Sequence, residues 1–314
     1  ASSTGAALDW TGVRETAKRL GAKTVFFAAA DRKYVDLYAR WYIKSVLKYA
    51  DVSCLIVVHV IGGADHLKGV AQSLGIEDER LILAGDRFDA GAVTTKCYDT
   101  PPKGLIEAPV AHFQSVRFIR LAALLRQLKL PVFVSDIDLL LQRGVQDLLA
   151  RCAGDDVVFN ENTASAHAGS RLTANLLLLN PTENADLFLR FLRGYLERAL
   201  GGAEVSRWID QFGLLMARHH LMLWAASSSA RSPARAIRAS VISTRPATST
   251  TSCTNPIRTI RSGSCRFITA STRRHWKAIR ACTGSRRRRR RSIHQQRRTR
   301  RQFGRLIRWP STVE

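Results

Sequence analysis

Over the first 220 positions, short apolar runs alternate with longer amphipathic stretches, and each kind of run predicts an element. Thr24 to Ala30 is apolar throughout and predicts a buried strand, followed by Asp31. Val35 to Tyr49 predicts a helix with an apolar stripe of Leu37, Trp41, Ile43, Val46 and Leu47. Cys54 to Ile61, dense in Val and Ile, predicts a second strand, stopped by Gly62 and Gly63. Ala64 to Leu74 predicts a helix ended by Gly75, and Arg80 to Ala84 a short third strand. Residues 85–110 carry Gly, Pro and Asp with no period and predict a long loop, a feature often tied to function. Ala111 to Leu128 predicts a strong amphipathic helix and Pro131 to Ser135 a further strand. Asp156 to Phe159 and Asn175 to Leu179 predict two more. Asn180-Pro181-Thr182 opens a helix from about Glu183 to Leu200, closed by Gly201 and Gly202. Val205, Trp208, Ile209, Phe212 and Leu215 mark one more helix, which carries Asp210 and Gln211 on its other side. The alternation of strands and helices predicts an α/β domain over residues 1–220, with a mixed, mainly parallel sheet flanked by helices.

The order breaks near residue 221. From there to Glu314, Ser, Arg, Ala, Thr and Pro dominate, and no period of 2 or 3.6 is sustained. The 94 residues of 221–314 hold 23 of the 49 Lys and Arg but only one acid, Glu314. The remaining 220 residues balance 26 basic against 24 acidic side chains, so the net charge of +24 belongs almost entirely to the last third. Arg286 to Arg291 is a run of six. Two readings fit. One is a basic tail of low order. The other is GC-rich coding sequence read out of frame, which yields Arg, Ser, Ala, Pro and Thr and explains an abrupt change inside an unfinished domain.

Six cysteines (Cys54, Cys97, Cys152, Cys253, Cys265 and Cys282) lack C-x-x-C spacing. They read as free thiols in a reducing, cytoplasmic location, with no zinc site. No stretch has the roughly 18 apolar residues needed to cross a bilayer. The N-terminus has neither a signal-peptide pattern nor a Met, which fits a fragment or a processed form.

The most informative stretch is Pro131-Val-Phe-Val-Ser-Asp136-Ile-Asp138-Leu-Leu-Leu141. An apolar run ends in two carboxylates one residue apart, between two apolar segments. Charges rarely sit beside a buried strand unless they are paired or bind a metal. In open α/β sheets, ligands gather at the carboxyl ends of strands. Side chains two apart on a strand share a face, so Asp136 and Asp138 can both face one hard cation, the usual means of managing a diphosphate. The bland alternative is a strand end turning into solvent. Arg117 and Arg120 lie three apart on one helical face, and a guanidinium matches phosphate oxygens. The alternative for them is a solvated face.

Three segments together resemble the GT-A-fold glycosyltransferases, over roughly residues 22–220. The first is Thr24 to Tyr34, with Asp31 after the strand. The second is His112-Phe-Gln-Ser-Val-Arg117-Phe-Ile-Arg120-Leu followed by the D-x-D strand. The third is Asn175 to Pro181, a helix, then Trp208-Ile-Asp210-Gln211. The resemblance implies that Asp136 and Asp138 bind Mn²⁺ or Mg²⁺ holding the donor's diphosphate, and that Asp31 and Tyr34 meet the nucleotide, with Ala28 and Ala30 giving close backbone access. For Asp31 the residue-level alternative is a helix N-cap. The resemblance puts Asp210 and Gln211 on the sugar or acceptor side and lets Asn175 approach the sugar, although Leu176 follows where the family commonly has a small residue. For Asp210 the alternative is a polar-face residue of an amphipathic helix. Many members close the metal site with a C-terminal His, and His275 matches this only superficially. The implied reaction moves a sugar from a nucleotide-diphosphate sugar, of which a UDP-sugar is the first expectation, to a hydroxyl on a glycan, lipid or protein.

Two other classes compete. The arginine runs fit a nucleic-acid-binding or interaction protein whose α/β domain is silent, and non-specific polyanion binding follows from them in any case. No folded nucleic-acid motif accompanies them. A nucleotidyltransferase is disfavoured because no Gly-rich, Lys-containing loop follows the first strand.

Overall fold

The computed structural model describes residues 10–99, 105–106, 109–162, 172–228, 239–243, 258–260 and 267–269, and structural statements below refer to these. The chain divides into two compact units, Ala1–Ala270 and Ser271–Glu314, and the second lies outside the described residues.

Strands β1 (Thr24–Asp31) and β2 (Cys54–Ile61) are buried throughout except at Asp31. Their unbroken apolar runs follow from having packed layers on both faces. The period of two is nevertheless kept. Val25, Phe27 and Ala29 enter one core, while Phe26, Ala28 and Ala30 enter the other. Helix α1 (Trp10–Arg19), absent from the sequence-based expectation, places Trp10, Val13 and Ala17 in the first core. Beyond Asp31 come α2 (Arg32–Tyr34), a π turn (Val35–Ala39) and α3 (Arg40–Tyr49). The expected helix is therefore present, but its face differs. Val35, Ala39, Tyr42, Ile43 and Val46 are buried, whereas Leu37 and Trp41 are 42% and 63% exposed. Two overlapping stripes share Ile43 and Val46, and only the one that begins at Val35 meets the sheet. Helix α4 (Leu67–Leu74) ends at Gly75, whose φ of 56° is left-handed, and β3 (Leu81–Gly85) follows.

Residues 85–110 are not a plain loop. They hold β4 (Lys96–Tyr98) and β5 (Leu105–Ile106), which join β10 (Glu204–Ser206) in a small sheet. Strands of two or three residues are too short to display a period. Helix α5 (Val110–Leu128), β6 (Val132–Ser135), β7 (Leu139–Leu141), α6 (Gln146–Arg151), β8 (Val157–Glu161) and β9 (Leu172–Leu179) follow. Helices α7 (Glu183–Leu200) and α8 (Ile209–Ser228) come next. Helix α8 runs across the expected boundary at 220/221. Beyond it, β11 (Ala239–Ser243), β12 (Arg258–Ile260) and β13 (Phe267–Thr269) are regular elements within the stretch read as low in order.

The main sheet has the order β12-β11-β8-β9-β6-β1-β2-β3, with β9 antiparallel to both neighbours and the other described pairs parallel. This is the expected mixed, mainly parallel sheet flanked by helices. The chain builds outward from β1 through β2 to β3, then returns through α5 to place β6 on the other side of β1. The strand order thus reverses between β1 and β6, and a crevice opens where their carboxyl ends diverge. Register makes the crevice concrete. β1 pairs with β2 along all eight residues but with β6 only from Val25 to Ala28, so Ala29 to Asp31 extend beyond the end of β6.

Candidate functional site

All four residues of β6 are buried, and the strand stops at Ser135. The pleat does not persist through the two aspartates. The Asp136 amide donates to the Asn175 carbonyl at 3.0 Å, and the Leu139 amide donates to the Asp136 carbonyl at 3.2 Å, closing a tight turn. Ile137 points into the second core at 3% exposure, while Asp136 and Asp138 remain half-buried. A turn anchored by one apolar side chain therefore presents both carboxylates at the switch point. Burial, reinforced by the neighbouring Asp136 charge, pushes the Asp138 carboxyl up to about 6.

Arg117 answers that charge. It lies on α5 at 4% exposure, so the expected solvated face does not apply to it. Its Nη1 donates to Asp136 Oδ1 and its Nη2 to Asp210 Oδ2, the latter at 3.2 Å. The guanidinium also stacks over the Phe118 ring at 4.8 Å from its centroid. Burial works against its charge, but Asp136 and Asp210 outweigh it and hold its pKa above the ordinary value. Burial pushes Asp210 up to about 6 although Arg117 pulls the other way, and the negative charge of Asp136 adds to the rise.

Asp210 is not on a polar helix face. It sits in the first turn of α8 at 2% exposure, with Oδ1 accepting from the Gln211 amide at 2.9 Å. Both of its oxygens are engaged within the protein, so the structure places it behind Arg117. Gln211 is half-buried beside it.

On the other wall, Asp31 Oδ1 accepts from the Tyr34 amide at 2.8 Å, the N-cap of α2. Tyr34 is 49% exposed, with its ring 5.4 Å from that of Tyr38. Partial burial, then the charges of Tyr38, Asp138 and Asp31, raise its pKa. Ala28 gives no backbone access. It is fully buried and held between Val58 of β2 and Ser135 of β6. Ala30 has β2 on one side only and borders the crevice.

Arg120 departs from its neighbour. Its Nη2 donates to Asp86 Oδ2 at 3.3 Å, and the same oxygen lies 2.9 Å from His59 Nε2. Asp86 Oδ1 also accepts from the amides of Gly62 and Phe88, at 2.8 and 3.1 Å. Arg117 and Arg120 therefore serve different carboxylates. Asp86 and His59 were missed in the sequence, although a lone His inside Val-Val-His-Val-Ile is a visible signal. Asn175 is fixed by Asn160 and Thr173, each donating to its Oδ1 at 2.8 Å, and Asn160 was also missed. Among the described residues, the Asn160 Oδ1 is buried with no hydrogen-bond partner.

Among the described residues, no group of three or more His, Cys, Asp and Glu is placed to hold a metal ion. Asp136 and Asp138 are hard oxygen donors and fit a divalent cation as two of its ligands, provided phosphate and water oxygens complete the shell. His275 lies outside the described residues. Cys54, Cys97 and Cys152 are buried, and no described helix is long and apolar enough to cross a membrane.

No protein-family model matches the chain, and no curated protein does. Among solved structures, it is similar to mouse xyloside xylosyltransferase 1 in its apo form, at 10% identity and a TM-score of 0.39, covering 63% of this chain and 82% of that one. It is also similar to the galactosyltransferase LgtC in complex with donor and acceptor sugar analogues, at 13% identity and a TM-score of 0.41, covering 61% and 70%. An active-site mutant of LgtC matches at 16% identity and a TM-score of 0.43, with the same coverage. All are glycosyltransferases, the class the sequence resembles.

Proposed function

We propose that the chain is a glycosyltransferase that moves a sugar from a nucleotide-diphosphate sugar, most simply a UDP-sugar, to an acceptor hydroxyl. The observation that carries this reading is the Asp136–Ile137–Asp138 turn at the switch point, with Arg117 buried directly behind it. Two carboxylates and one guanidinium in a crevice between strand ends suit a polyphosphate bridged by a cation.

In this reading Asp136 and Asp138 hold Mn²⁺ or Mg²⁺, which when bound offsets the negative charge that develops on the departing diphosphate. Arg117 keeps the two aspartates from repelling each other before the donor arrives. Asp210 acts through Arg117 by holding its second nitrogen. Gln211 and Asn175 face the sugar, while Ala30, Asp31 and Tyr34 line the nucleotide side. Arg120 steadies the rim by holding Asp86.

The test is equilibrium binding of a panel of nucleotide-sugars to the full chain with and without Mn²⁺. The expected result is metal-promoted binding of at least one donor, lost in Asp136→Ala and in Asp138→Ala. Binding that ignores the metal and survives both substitutions would overturn the reading.

A further inference from the structure

We propose that the outer face of α3 and the turn before it docks the protein on an anionic membrane surface. This goes beyond the transferase reading and does not depend on it.

The face is made by residues that the sheet leaves outside. Val35, Ala39, Ile43 and Val46 take the buried side, so Lys33, Leu37, Trp41, Lys44 and Lys48, spaced by three or four, fall on the opposite one. Trp41 is 63% exposed and Leu37, four residues before it, is 42% exposed. Adjacent exposed apolar side chains on an otherwise polar helix mark an interaction surface. Arg40, Lys44 and Lys33 are exposed and make no ion pair among the described residues, and Lys48 lies over the Tyr49 ring. The only acid of this segment's exposed face, Asp36, is already paired with Arg32 at 2.8 Å.

Charge and shape together select the occupant. A second copy would bring four cations against four cations. A protein groove would need an acidic lining around an apolar slot. A bilayer rich in anionic headgroups supplies both features over a broad, yielding surface. The indole and the Leu side chain enter the headgroup boundary while the Lys and Arg stems lie along it with their charges outward. Asp31, at the carboxyl end of β1, caps the turn at Tyr34 that opens the same segment, so docking would set that end of the sheet close to the lipid surface.

The experiment uses the full chain with vesicles of phosphatidylcholine alone or mixed with phosphatidylglycerol, in a version with brominated acyl chains. Expected are co-sedimentation with the anionic vesicles and bromine quenching of tryptophan emission that is lost in Trp41→Phe. Lys44→Glu with Lys48→Glu is expected to weaken binding by more than about tenfold. These positions are exposed, so the variants keep the fold, which circular dichroism checks. Quenching unchanged in Trp41→Phe, or binding indifferent to the charge reversals, would assign any vesicle affinity to the arginine-rich stretch and overturn the proposal. Self-association without vesicles that disappears in Trp41→Phe would overturn it in favour of a second copy.

Discussion

Arg117 donates through Nη1 to Oδ1 of Asp136, from the interior of a helix to the first residue after a buried strand. Neither side chain is stable there alone. The guanidinium is almost sealed from water, and the carboxylate has a second carboxylate two residues away. With Asp210 on the other nitrogen, the three form one unit. Arg117→Met should therefore destabilise the fold by about 3–5 kcal/mol, because it leaves carboxylates facing one another without their cation. Arg117→Lys should recover only part, since a point charge cannot address two carboxylates in fork geometry. In a double-mutant cycle, Arg117→Met combined with Asp210→Leu should cost clearly less than the two single changes together, read from urea unfolding midpoints. Additive effects would mean that the pair does not interact.

Asp138 and Asp210 set a pH dependence of defined sign. Burial holds both carboxyls up at about 6, against about 3.9 in an unfolded chain. Between those values the native state binds more protons than the unfolded state, so the stability of cation-free protein falls as pH rises from about 4 to about 6. Asp86 does not oppose this. Burial pushes its pKa up, but His59 and the amides of Gly62 and Phe88 outweigh that and hold it well below the usual range. Its contribution is present above the unfolded value and is lost only as pH falls further. A cation on Asp138 requires the deprotonated form, so Mn²⁺ affinity should drop about tenfold per pH unit below about 6 for each proton displaced. Mn²⁺ on Asp138 removes that residue's share of the fall and leaves that of Asp210, so thermal unfolding should show a clearly shallower decline across that window with Mn²⁺ than with chelator. Parallel slopes would show that the cation does not displace a proton from this carboxylate.

The parts of this arrangement legible in the sequence were those carried by long apolar runs. β2 and α7 have the boundaries their runs predict, and the paired aspartates were visible because an apolar strand cannot end in two charges by packing alone. What escaped was long-range. Nothing local says that Arg117 turns inward to Asp136 while Arg120, one helical turn away, reaches Asp86. For Asp210 an amphipathic helix left a polar-face position open as the alternative to a site role, yet its position at the helix start puts it in the interior. The resemblance implied close backbone access at Ala28, yet β2 and β6 pair on both sides of it. Strands β11 to β13 have three to five residues, too few for a period to emerge from an Arg- and Ser-rich background.

The corner that leads out of the site makes its own prediction. After β7, Gly144 passes against the Asp51 carboxylate, which accepts from the amides of Val145 at 2.6 Å and Gln146 at 2.9 Å. That carboxylate fixes the entry to α6, where Val145 just before the helix and Leu148 within it are fully buried. A Cβ at Gly144 would overlap the Asp51 carboxylate itself, so the constraint is close approach rather than backbone conformation. Gly144→Ala must displace the cap, and should destabilise by about 1–3 kcal/mol. Gly194 is the internal contrast. It is exposed in the middle of α7, with nothing within 4 Å of where a Cβ would stand. Gly194→Ala should therefore stabilise by up to about 1 kcal/mol through helix propensity. Urea unfolding of the two variants side by side checks both signs. If Gly144→Ala is neutral, Asp51 retreats without loss and the cap does not anchor this corner.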